Sequence, residues 1–148
     1  MSLSLVAQGE DGALTVSAEA AALLAGIDEP VSVVVVAGPY RSGKSFLLNC
    51  LSESAAAAGD EMVFEVGPST RACTMGLWVW PKPQLVQRPD GTTARVLFVD
   101  SEGLGAPSGS GKNDLRMFSL GVLLSSIFIF NTKVRAASPC LRSRPVSR

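Results

Sequence analysis

Residues 31–51 read VSVVVVAGPYRSGKSFLLNCL, and no other stretch limits the possible fold as tightly. VSVVVVA is β-branched and almost wholly apolar, as a strand covered on both faces must be. GKSFLLNCLSESAAAA then carries strong helix formers and predicts a helix with Phe46, Leu47, Cys50 and Leu51 on one side. Between the two, Gly38-Pro39-Tyr40-Arg41-Ser42-Gly43-Lys44-Ser45 fits the spacing Gly-x4-Gly-Lys-Ser/Thr. A buried strand that turns through glycines straight into a helix predicts an α/β layer architecture.

That spacing has a physical reason. Glycines let the backbone curl until successive N–H groups converge on phosphate oxygens, and the helix N-terminus adds unpaired donors and a positive dipole end. Lys44 then reaches the β- and γ-phosphates, and the Ser45 hydroxyl ligates magnesium. The plainer reading of the same letters is a glycine turn with a capping serine and a solvated lysine. The flanking strand and helix favour the phosphate loop.

RVLFVDSEG adds a second sign, an apolar strand that ends in Asp100-x-x-Gly103. A carboxylate there faces the magnesium shell, directly or through water. A third candidate is a hydroxyl in the polar loop before GLWVW, where nucleotide switches place a magnesium-binding side chain. Ser69, Thr70 and Thr74 all qualify on position alone.

The rest of the chain supplies the frame. LSLVAQGEDGALTVS reads as two short strands around a turn, and SAEAAALLAGI as a helix capped by Ser17. Residues 59–76 read mostly as loop. GLWVW and ARVLFVD read as strands, with the turn pair Asp90-Gly91 in the RPDGTT between them. GAPSGSGKND is a polar loop, NDLRMFSLGVLL a helix, and SSIFIFN another strand buried on both faces.

Composition narrows the chemistry. Thirteen basic and thirteen acidic residues cancel, which offers nucleic acid or an anionic membrane no charge to follow. The longest apolar run, LGVLLSSIFIF, is too short to span a bilayer. Three cysteines without metal-ligand spacing predict neither a zinc site nor a disulfide framework, and with no basic-then-apolar leader a cytoplasmic location is expected. The chain has no histidine, which excludes Ser-His-Asp and Cys-His catalysis.

The stretches VVAGPYRSGKSFLLNCL, TMGLWVW, VLFVDSEGLG and LGVLLSSIFIFN resemble the guanylate-binding-protein and atlastin group of large, dynamin-related GTPases over roughly residues 3–132. The resemblance implies binding of GTP with Mg2+, hydrolysis to GDP and phosphate, and a homodimer formed across the nucleotide face. It places nucleotide contacts at Gly38, Tyr40, Arg41, Ser42, Gly43, Lys44, Ser45, Phe46, Asp100 and Gly103. It also implies metal contacts at Ser45, Thr74 and Asp100, and catalytic roles for Arg41, Thr74 and Glu102. Arg41 would act as a built-in arginine finger, its guanidinium neutralising charge on the transferred phosphoryl group.

Two departures accompany the likeness. Ala72 stands where guanylate-binding proteins carry a serine, two residues before the switch threonine. FNTKV superficially suggests a base-reading Asn-Lys-x-Asp, but position 134 is Val. The expected fold is therefore α/β, a P-loop G domain with a mostly parallel central sheet, truncated after the strand at about 126–131. Residues 133–148 read as a disordered tail. Two rivals to GTP hydrolysis remain: a P-loop NTPase that uses ATP, and a non-catalytic fragment that docks to a full-length partner.

Overall fold

The computed structural model describes residues 2–9, 11–52, 64, 76–101 and 111–132. The chain opens with the expected hairpin, β1 (Leu3–Gln8) against β2 (Leu14–Val16). Helix α1 (Ala18–Ala25) follows, and Ser17 caps it by accepting from the Ala20 N–H at 3.0 Å while donating to the Ser4 carbonyl at 2.6 Å. The capping hydroxyl thus also ties the helix to β1. Then come β3 (Val31–Ala37), α2 (Lys44–Leu51), β4 (Gly76–Val79), β5 (Gln84–Gln87), β6 (Thr93–Ser101), α3 (Gly111–Leu124) and β7 (Ile127–Phe130).

The strands form one sheet in the order β2-β1-β4-β6-β3-β7, with β5 also paired to β6. It is a mixed sheet, not the mostly parallel one expected. Only β3 runs parallel to its neighbours β6 and β7, while β1, β2, β4 and β5 make antiparallel pairs. Two of the antiparallel pairs, β1 with β2 and β5 with β6, are hairpins that need only short turns, whereas β4 lies antiparallel to both β1 and β6 through longer connections.

Strand β5 is absent from the sequence reading. The apolar pattern breaks at Pro81 and Pro83, which cannot donate to a ladder. Past them the chain resumes the same line along β6, and the Asp90-Gly91 turn joins β5, not β4, to β6. Gly91 takes a left-handed φ of 83° there, and Asp90 Oδ1 accepts from the Thr92 N–H at 2.9 Å.

The run of valines in β3 feeds two cores at once, as alternation across a pleated strand requires. Val35 packs with Leu77, Val79, Leu97, Val99 and Met117 on the face covered by α1 and α3. Val34 and Val36 pack with Leu48, Phe64, Trp80 and Phe98 on the face covered by α2. The result is a three-layer helix–sheet–helix sandwich, consistent with a strand covered on both faces.

Two expectations need correction. In α2 the buried side chains are Lys44, Leu48 and Asn49, whereas Phe46, Cys50 and Leu51 are exposed. Lys44, Leu48 and Ser52, spaced by four, mark the inward face. The loop sets that rotation, because Lys44 must turn back over it. In β7, Ile127 and Phe130 are about half exposed, and the strand lies at the edge of the described sheet. It is therefore not buried on both faces. Phe118 of α3 nonetheless holds it, with edge-to-face contacts to Phe128 at 5.3 Å and Phe130 at 6.0 Å.

Candidate functional site

The parallel strands β3, β6 and β7 end at one edge of the sheet, with Val36 opposite Asp100 and Ala37 opposite Phe130. In open α/β sheets this carboxyl edge is where ligands bind. The loop 38–43 rises from it into α2. Three residues give the loop its curl by taking positive φ: Gly38 at 152°, Arg41 at 59° and Gly43 at 89°. Arg41 is the only non-glycine residue among those described to do so, and a left-handed backbone strains a branched-free L-residue by about 1–2 kcal/mol. The Ser42 N–H donates to the Pro39 carbonyl at 3.2 Å, closing the turn.

Lys44 is buried, and its Nζ folds back to donate to the Pro39 carbonyl at 3.1 Å. Its ammonium therefore sits over the concave side of the loop, held by a backbone oxygen. Gly43 stands at the N-cap of α2 with no side chain to cap the first turn. Helix N–H donors without a side-chain cap are suited to an anion.

Ser45 Oγ donates to Asp100 Oδ2 at 2.6 Å, while Asp100 Oδ1 is shielded from solvent and meets no well-aligned hydrogen-bond partner among the described residues. Burial pushes the Asp100 carboxyl up to about 6, against the opposing pull of the Ser45 hydroxyl and the Lys44 charge. The neighbouring Ser101 hydroxyl donates to the Val36 carbonyl at 3.1 Å and fixes the end of β6 against β3. An orphaned carboxylate oxygen beside a serine hydroxyl is a hard-oxygen pair of the kind magnesium uses.

The structure thus brings Gly38, Ser42, Gly43, Lys44, Ser45 and Asp100 together. Tyr40, Arg41 and Phe46 lie at the exposed rim, with the Arg41 guanidinium 5.4 Å from the centre of the Tyr40 ring. Thr74, Glu102 and Gly103 fall outside the described residues, as do Ser69, Thr70 and Ala72.

One residue of the site carries a role that the sequence did not reveal. Asn131, one step beyond β7, donates from Nδ2 to the Ser42 carbonyl at 3.0 Å and from its backbone N–H to the Ala37 carbonyl at 2.7 Å. The visible signal was a polar residue closing an apolar strand, which by itself does not say what it touches. Asn49 is a second such case. Its amide pairs with Phe64 in both directions at 2.9 Å, fixing buried Phe64 against α2.

The model of the guanylate-binding protein N-terminal domain matches residues 11–139. The chain belongs to the guanylate-binding protein family. Guanylate-binding proteins 5 and 6 of Mus musculus are each 42% identical to it, over 123 and 122 residues. Guanylate-binding protein 2 of Homo sapiens is 38% identical over 122 residues. Each match covers 82% of this chain but only 18–19% of the relative. The chain therefore spans about a fifth of the length of these guanylate-binding relatives. No described helix is long and apolar enough to cross a membrane.

Proposed function

We propose that the chain binds the triphosphate of GTP in the 38–45 loop and contributes these residues to GTP hydrolysis. The observation that carries the reading is the pair Ser45–Asp100 at the mouth of the loop, with Asp100 Oδ1 buried and unpartnered. The names of its relatives support guanylate as the ligand class.

The donor set fits magnesium, which Ser45 Oγ and Asp100 would hold, with Thr74 as a further ligand. When bound, the ion would supply neutralisation of negative charge on the phosphate chain. Loop N–H groups and Lys44 bind and orient the phosphate chain. Thr74, Glu102 and Gly103 lie outside the described residues, and their parts in the reaction, Thr74 and Glu102 in catalysis and Gly103 beside the phosphates, rest on the family resemblance alone. Arg41 stands exposed at the rim, where a guanidinium can swing toward a transferred phosphoryl group. Its position there also supports a homodimer that meets across the nucleotide face. Positioning and charge stabilisation are the main contributions a protein makes to this reaction.

The test is titration of the chain with GTP and ATP, with and without magnesium, alongside Lys44→Ala. Tight, magnesium-dependent binding of GTP that the substitution removes supports the reading. Equal binding by both proteins overturns it. The half-exposed β7 edge favours a second reading, docking without catalysis. Complex formation with a full-length relative in the absence of any nucleotide affinity would select it.

A further inference from the structure

We propose that Asn131 is a positioning residue that clamps the phosphate-binding loop into its cupped shape from the end of β7. The proposal rests on the phosphate-loop reading above and concerns a residue outside that motif.

Asn131 touches both ends of the loop. At the start, its N–H donates to the Ala37 carbonyl at 2.7 Å, extending the β3–β7 ladder by one step. Its own carbonyl oxygen lies so close to Gly38 that a Cβ there would overlap it. At the far end, its Nδ2 donates to the Ser42 carbonyl at 3.0 Å. A Cβ on Gly43 would come within 4.0 Å of the same nitrogen. One residue thus spans the loop from its entry at Ala37 to its exit at Ser42 and Gly43.

The direction of the side-chain bond matters. A peptide whose carbonyl is drawn outward to Asn131 has its N–H on the opposite side, since the two point in opposite directions across a planar trans peptide. Holding the Ser42 carbonyl outward therefore keeps the Gly43 N–H turned away from Asn131, in the direction an anion-binding loop needs. Preset donors bind an anion without a reorganisation cost at the moment of binding.

The experiment compares the chain with Asn131→Ala and Asn131→Asp. Both keep the backbone bond to Ala37 and remove the side-chain donor; the first adds no charge, whereas the second keeps the size but sets a carboxylate against the Ser42 carbonyl. Three quantities are read: affinity for GTP and for inorganic tripolyphosphate, amide hydrogen exchange over residues 38–46, and the melting temperature. Loss of one donor predicts affinity weakened roughly 3- to 10-fold, by the same factor for both ligands. Exchange over 38–46 should rise in the ligand-free chain for both variants, and more for Asn131→Asp, while Asn131→Ala still melts cooperatively.

A loss confined to GTP would show base recognition and overturn the clamp. Unaltered exchange over 38–46 in both variants would also overturn it, whatever the ligands do. If the unsubstituted chain binds neither GTP nor tripolyphosphate, the phosphate-loop reading itself fails and the functional role of the clamp fails with it.

Discussion

Ser45 Oγ donates to Asp100 Oδ2 at 2.6 Å, joining the first turn of α2 to the end of β6 across 55 positions of sequence. The bond converts two separate sequence signs, a Gly-x4-Gly-Lys-Ser loop and a strand ending in Asp, into one local arrangement. It also leaves Asp100 Oδ1 shielded and unpartnered, which a carboxylate tolerates only with another charge nearby or a proton bound.

That protonation gives a pH dependence with a definite sign. Burial raises the Asp100 carboxyl from its ordinary 3.8 to about 6. Between about pH 4 and pH 6 the folded chain therefore binds a proton that the unfolded chain has released. The stabilisation from this group is complete below about pH 4 and is lost as pH rises through about 6. If Asp100 holds magnesium as proposed, magnesium-supported nucleotide binding should rise over the same range. Melting temperatures of the ligand-free chain and of Asp100→Asn, taken from pH 4 to 7, check the sign. A difference between them that does not vary with pH would refute it.

Lys44→Ala should weaken triphosphate binding roughly 10- to 150-fold, the range expected when a charged hydrogen bond is removed. Its Nζ is held over the loop by the Pro39 carbonyl at 3.1 Å, within the phosphate-binding motif itself. Titration with a fluorescent GTP analogue measures this. Undiminished affinity would place the nucleotide elsewhere.

Gly38→Ala should destabilise the fold by about 3 kcal/mol, combining overpacking with an unfavourable φ. The new methyl would meet backbone, the Asn131 carbonyl, which cannot rotate aside as a side chain can. Thermal melting reads the effect. A variant as stable as the parent would mean that β7 shifts freely.

Arg41→Ala should slow hydrolysis at least 10-fold and leave nucleotide affinity within about twofold, because a finger acts on charge developed in the transition state. The side chain is exposed, with its guanidinium 5.4 Å from the centre of the Tyr40 ring. Single-turnover rates in a chimaera continued with the downstream sequence of a guanylate-binding relative would measure the change. An unaltered rate at saturating GTP would remove the finger role.

Leu123→Glu should reduce self-association of the chain without lowering its melting temperature. Leu123 is 82% exposed on α3, four positions before Ile127, which with Phe130 is half exposed on the edge strand β7. An apolar patch beside a strand edge invites other chains. Light scattering at matched concentrations decides the point, and equal scattering from both proteins would locate the sticky surface elsewhere.

Much of this architecture follows from local rules that the sequence states directly. The strand VSVVVVA, the loop GPYRSGKS and the start of α2 are adjacent in the chain, and their spacing alone implies a strand–loop–helix unit. Ser17 announces a helix start, and Asp90-Gly91 a hairpin, because capping and turn geometry involve residues only a few positions apart. The place of Asp100 near the end of an apolar strand was legible for the same reason, although its bond to Ser45 was not.

Tertiary structure decided what depends on distant partners. The inward face of α2 was misread because the apolar count favoured Phe46 and Leu51, whereas the fold turns Lys44 and Leu48 inward to serve the loop and the core. Strand β5 appears only because β6 offers it a ladder beyond two prolines. The sheet is mixed because each pairing was settled between strands, which no single strand's pattern specifies. Asn131 acquires its role only when β7 lies parallel to β3, bringing it to a loop whose Ser42 is 89 residues away. Periodicity describes which side of an element is apolar, but a contact of that separation exists only once the chain has closed upon itself.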